Sequence, residues 1–163
     1  MNIKRAFLIL LIAMAVISSV GAVSAGLFDD LLGQTQDNIV EIDNYTFSTI
    51  NETNLTYDGI YDEWKCYVDE NESYVVYILD LSQENDSDWD DELKFYEEDV
   101  VSNITMQNVS GVEIFNDTIV DDDGNEEIWY GSFFIDNDHK TFVELLSTDL
   151  NETVKMASTI KCK

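Results

Sequence analysis

The stretch EIWYGSFFIDNDHKTFVELLS, residues 127–147, decides the fold. Ile128-Trp129-Tyr130 and Phe133-Phe134-Ile135 make its first half strongly β-prone, since aromatic and β-branched side chains fit a pleated, half-buried surface. Asn137-Asp138-His139-Lys140 then turns the chain, and Lys140 to Ser147 reads as the next strand. Upstream, Val112 to Val120 and Glu127 to Asp136 are strand-like runs joined by Asp121-Asp122-Asp123-Gly124-Asn125-Glu126, a hairpin turn. Downstream, Asp149 caps a closing helix, and Glu152 three residues on completes a capping-box pattern. Leu150, Val154, Ala157 and Ile160 share one face of that helix, with Asn151 off it.

Towards the N-terminus the same reading continues. Tyr74 to Leu79 is apolar on both faces, which predicts a central, covered strand. It forms a hairpin with Glu63 to Val68 around Asp69 to Ser73. Ile39 to Ile50 alternates around Ile42, Tyr45 and Phe47 and reads as one first strand, followed by a polar connection, Asn51 to Gly59. In Ser87 to Glu98 the period changes: Trp89, Leu93 and Tyr96 recur at i, i+4 and i+7, with Ser87 or Asp88 as cap, which predicts a helix. Strands and two helices mix without a repeating βαβ order. The expectation is an α+β domain, an antiparallel sheet of about five to seven strands with two helices packed on one face.

Ahead of this domain stands an export pattern. Lys4 and Arg5 precede an apolar run from Ala6 to Ile17, and Val23-Ser24-Ala25 places small residues before Gly26. Basic, apolar and small-residue regions in this order form a secretory signal, with cleavage between Ala25 and Gly26. An uncleaved anchor over residues 6–23 is the alternative reading. The chain thus divides into a helical signal peptide at 1–25, a linker at 26–38 and a single acidic domain at 39–163.

The composition suits life outside the cell. The 8 Lys and Arg face 34 Asp and Glu, a net charge of −26. Without Lys4 and Arg5, 6 minus 34 leaves −28. Such a charge repels nucleic acid and anionic membranes and favours cations and basic partners. Trp64, Trp89, Trp129 and many other large apolar residues argue for a folded domain rather than a disordered acidic chain. There is no proline, so turns fall to Asn and Asp.

The sequon N-x-[S/T] occurs nine times, at Asn44, Asn51, Asn54, Asn71, Asn85, Asn103, Asn108, Asn116 and Asn151. A chain of this composition would carry about two by chance, so the set together with the signal points to N-glycosylation. Cys66 and Cys162 are expected to pair in an oxidising compartment, closing a long loop at a gain of roughly 4–5 kcal/mol in the loop-entropy account.

Three segments carry a resemblance. SAGLFDDLLG at the end of the signal, FFIDNDHKTFVELLS in the meander and DLNETVKMASTIK in the closing helix resemble small uncharacterised secreted proteins of methanogenic archaea. The resemblance covers both ends better than the middle. It implies a cell-envelope setting and a similar layout of meander then C-terminal helix, with no catalytic motif.

For chemistry the chain offers little. Aligned on Gly124, the acidic loop places Ile119 and Tyr130 at the two ends of an EF-hand, where acids belong. A weak calcium site at Asp121, Asp123 and Asn125 remains the one metal expectation, with no other cofactor. His139 is the only histidine and sits in a polar turn; one His and two distant Cys do not make a usual zinc site. No GxGxxG, Walker A, GxSxG or HExxH motif occurs. Acid pairs such as Asp90-Asp91 or Glu97-Glu98 identify nothing among 34 acids. The aromatics Trp64, Tyr67, Trp89, Trp129, Tyr130, Phe133 and Phe134 read as core before they read as a ligand groove.

The leading expectation is a non-enzymatic, secreted or cell-surface acidic glycoprotein that binds a protein or an envelope glycan. It has no nucleic-acid partner, and it touches membrane only through an uncleaved N-terminus. A calcium-responsive binding module is the alternative, and a carboxylate-dependent hydrolase comes last.

Overall fold

The structure, a computed structural model, describes residues 38–96, 98, 104–120 and 126–163. The expected signal, its Ala25–Gly26 cleavage point, the linker up to residue 37, Asn103, and the loop residues Asp121, Asp123 and Asn125 lie outside them.

The described chain is α+β. In order, it forms β1 (Asn38–Ile42), β2 (Tyr45–Thr49), β3 (Thr56–Tyr61), β4 (Trp64–Val68), β5 (Tyr74–Asp80), α1 (Asp86–Phe95), β6 (Gln107–Val109), β7 (Val112–Val120), β8 (Glu126–Asp136), β9 (Thr141–Ser147), α2 (Leu150–Thr159) and β10 (Lys161–Cys162). Seven strands make the main sheet in the order β3-β4-β5-β9-β8-β7-β6; β1, β2 and β10 make a small second sheet. Every pairing is antiparallel.

Residues 127–147 behave as the sequence predicts. β8 and β9 pair around the 137–140 turn, with Phe133 opposite Glu144 and Phe134 opposite Val143. β5 lies centrally, between β4 and β9. Its side chains alternate between two covered faces, as strand geometry requires. On one face Tyr74, Val76 and Ile78 join Val143 and Leu145 under Val40, Ile42, Tyr45, Phe47 and Met156. On the other, Leu79 and Phe142 pack against Trp89 of α1. Phe115 and Phe133 extend that side beneath Ile104, Met106 and Tyr96.

The two helices therefore sit on opposite faces of the main sheet, which corrects the expectation that both pack on one. The cause is β5 and β9 themselves: apolar residues on both faces need cover on both. α2 and the small sheet cover one side, and α1 covers the other.

Two strand expectations are also corrected. Residues 39–50 are a hairpin rather than one strand, because Asp43 takes a left-handed φ of 46° and reverses the chain, bringing Ile42 opposite Tyr45. The supposed connection 51–59 contains the start of β3, an edge strand that is almost wholly exposed and so shows no buried alternation. α1 is capped by Asn85, whose side chain accepts from the Asp88 backbone N–H, rather than by Ser87 or Asp88.

Candidate functional site

Among the described residues, an Asp, a His and a Cys gather where the β8–β9 turn meets the C-terminal strand. β8 ends at Asp136. One carboxylate oxygen of Asp136, Oδ1, accepts from the backbone N–H groups of Asp138 and His139, each at 3.1 Å. This is how an aspartate stabilises a tight turn. Its other oxygen, Oδ2, accepts from the Tyr45 hydroxyl at 3.1 Å and lies 2.8 Å from His139 Nδ1. Cys162 enters from β10. It pairs directly with Tyr45 of β2, and residues opposite one another in an antiparallel pair point to the same face. The Cys162 thiol, a ring nitrogen of His139 and a carboxylate oxygen of Asp136 consequently lie within 4.8 Å of one another.

The electrostatics follow from burial and contact. Burial opposes ionisation of Asp136, but the hydrogen bonds from His139 and Tyr45 outweigh it and hold the carboxyl below its usual range. Burial also pushes the Tyr45 phenol up to about 12, helped by the Asp136 carboxylate beside it and opposed by a hydrogen bond from Thr141. Tyr45 is thus a fixed hydrogen donor. The side chain of Asp136 is 9% exposed and that of His139 is 55% exposed, so the cluster has a buried anchor and an open rim.

Sequence reasoning placed His139 in an exposed turn but did not find this grouping. Asp136 and His139 are three apart in one turn, which is a visible signal. Cys162 is not visible in this way, because only the pairing of β10 with β2 brings it close.

The expected bridge between Cys66 and Cys162 is not formed; both thiols are free. Cys66 is buried on β4, opposite Tyr77 on the face that α1 covers, whereas Cys162 belongs to the small sheet on the other side. The main sheet thus separates them.

Eight sequon asparagines are among the described residues. Asn44, Asn51, Asn54, Asn71, Asn85 and Asn108 are exposed, and Asn116 and Asn151 are partly buried. Two of the sequon threonines are less comfortable. Thr46 and Thr53, the third residues of the Asn44 and Asn51 sequons, each bury a hydroxyl oxygen with no hydrogen-bond partner. Of the seven aromatics, Trp89 and Trp129 are buried, Trp64, Tyr67, Phe133 and Phe134 pack against the core clusters, and Tyr130 is partly buried on β8.

Among the described residues, no helix is long and apolar enough to cross a membrane.

No family model matches the chain, and no curated protein matches it.

Proposed function

We propose that this chain is an exported, N-glycosylated surface domain that acts by binding rather than by catalysis. The observation that carries the reading is the pair Thr46 and Thr53. A buried hydroxyl without a partner costs about 1–3 kcal/mol, and valine would fill the same space without that cost. Thr46 lies within β2, where a valine would also suit the strand. Neither hydroxyl makes a hydrogen bond within the described fold, and the sequon requires both. The exposure of six of the eight described sequon asparagines supports the same reading, because a glycan needs open space.

A binding protein also needs a contact surface. β3 is an outer strand of the main sheet, with Tyr57, Ile60 and Tyr61 all more than half exposed. An open edge with apolar side chains suits a protein partner that adds to the sheet. With the acidic charge, the favoured partner is a basic segment of a protein or envelope polymer.

Glycopeptide mapping of the protein isolated from its native source tests this directly. Glycan is expected on the exposed sequons, Asn44 and Asn51 among them. Unmodified asparagine at every mapped sequon would overturn the reading.

A further inference from the structure

We propose that Asp136, His139 and Cys162 form a binding site for a transition-metal ion of the zinc class, which clamps the C-terminal strand to the β8–β9 turn. The site is independent of the glycans.

The donor set is the first argument. A carboxylate oxygen, an imidazole nitrogen and a thiolate sulfur together suit a borderline ion such as Zn²⁺ far better than Ca²⁺ or Mg²⁺, which take oxygen alone. The three ligand atoms already lie within 4.8 Å of one another. A tetrahedral zinc with bonds of about 2.0–2.3 Å needs neighbouring ligands roughly 3.3–3.8 Å apart, so closure requires a shift on the order of 1 Å. His139 has the freedom to supply it, with its side chain 55% exposed on a turn.

The surroundings are the second argument. Asp136 is already oriented, by two backbone N–H groups on Oδ1 and by Tyr45 on Oδ2. Tyr45 is itself fixed: it is 2% exposed, and its ring meets Phe134 edge-on at 6.0 Å. A buried donor that orients a ligating carboxylate is the usual outer support of a metal site. On binding, the ion takes the place of the hydrogen between His139 Nδ1 and Asp136, the neutral ring then carries its one hydrogen on Nε2, and the Cys162 thiol gives up its proton to solvent. Three protein ligands leave a fourth position for water.

The site has a structural consequence. β10 is only two residues long, held by the pairs Lys161–Thr46 and Cys162–Tyr45, by a bond from Lys163 N to Asn44 O at 2.8 Å, and by the Lys163 ammonium on Asp43 O at 3.2 Å and the Glu41 carboxylate at 3.0 Å. Such a short terminal strand frays readily. An ion shared by Cys162 and the 136–139 turn would hold it closed.

The test uses the full chain, reduced, titrated with Co²⁺ and then displaced with Zn²⁺. Expected is a cobalt–thiolate absorption band that saturates at one equivalent, is abolished by Zn²⁺ and by Cys162→Ser, and persists in Cys66→Ser. His139→Ala should weaken Co²⁺ binding about tenfold or more. Zn²⁺ should also slow thiol-reagent modification of Cys162 in the unsubstituted protein. Circular dichroism on each variant separates lost ligation from lost fold. Absence of a thiolate band from the folded protein, or a band that survives Cys162→Ser, overturns the proposal; binding through surface carboxylates alone gives the first of these results.

Discussion

Glu152 of α2 and Asn51, two residues beyond β2, are joined by two hydrogen bonds to one oxygen: Oε1 accepts from the Asn51 backbone N–H at 2.8 Å and from its side-chain amide at 2.6 Å. The other oxygen, Oε2, accepts from the Ile50 backbone N–H at 2.8 Å. Glu152 is 1% exposed, so this carboxylate is a buried hub that ties the small sheet to the C-terminal helix. Glu152→Ala should cost about 2–4 kcal/mol, because it leaves backbone donors without acceptors. Urea unfolding measures it; a cost below about 0.5 kcal/mol would show that water replaces the carboxylate freely.

Thr46→Val and Thr53→Val make the opposite prediction. Each should leave stability unchanged or raise it by about 1 kcal/mol, since a buried, unpartnered hydroxyl is removed. Each should also remove the glycan from Asn44 or Asn51 when the protein is made in its native host. Thermal melts and glycopeptide mapping of the same samples check both halves.

Gly131 has no room to grow. It stands opposite Phe115, whose ring lies over it and stacks on Phe133 at 5.0 Å and 22°. A Cβ at position 131 would collide with the Phe115 ring. Gly131→Ala should destabilise by about 1–3 kcal/mol, and Phe115→Leu in the same chain should recover part of the loss. Additive effects of the two substitutions in urea melts would contradict this packing.

Glu144 gives stability a pH dependence. It is half-buried on β9, directly opposite Tyr77 and Phe133, and burial together with the charge of Asp117 raises its pKa from 4.5 to about 7. Between those two values the folded chain holds a proton that the unfolded chain has lost. The contribution is therefore full below pH 4.5 and is lost as pH rises through about 7. Glu144→Gln should raise Tm by a few degrees at pH 8, where it relieves about 1–2 kcal/mol, and do little near pH 4.5. Equal effects at both pH values would contradict the assignment.

Asp136 works in the other direction. Its folded pKa is lowered, so its contribution is present above the usual carboxylate range and is lost as pH falls through the folded value. Tyr45→Phe removes one of the bonds responsible. It should cost about 1 kcal/mol at pH 7 and make the stability curve less steep on the acid side. An unchanged acid limb in urea melts would show that Tyr45 does not hold the carboxylate.

The parts of this fold that could be read from sequence are those where local pattern and tertiary burial agree. β5, β8, β9 and α2 carry strong apolar runs or faces, and each stands within a residue or two of its expected place. The reversal at Asp43 is harder to see, because Ile42 and Tyr45 are both apolar and sit in one β-prone run that spans the turn. The clue lies in the spacing: the buried residues Ile42 and Tyr45 are three apart, which in a single strand would put them on opposite faces and break the alternation. β3 offers no such clue, since an exposed edge strand has no buried side. At the start of α2, tertiary contact overrides local capping. Asp149 does cap, but onto Asn151, and Glu152 leaves the capping box to meet Ile50 and Asn51. For the candidate site, Asp136 and His139 share a turn, but Cys162 reaches them only through pairing with a strand more than a hundred residues earlier. No local pattern encodes that.

The central claim is that this domain leaves the cell and carries sugar, and the intact mass of the protein recovered from its native source tests it most directly. The account predicts a chain that begins at Gly26 and is heavier than its polypeptide by a heterogeneous series of glycan masses. A single species at the mass of the unmodified 163-residue chain would contradict it.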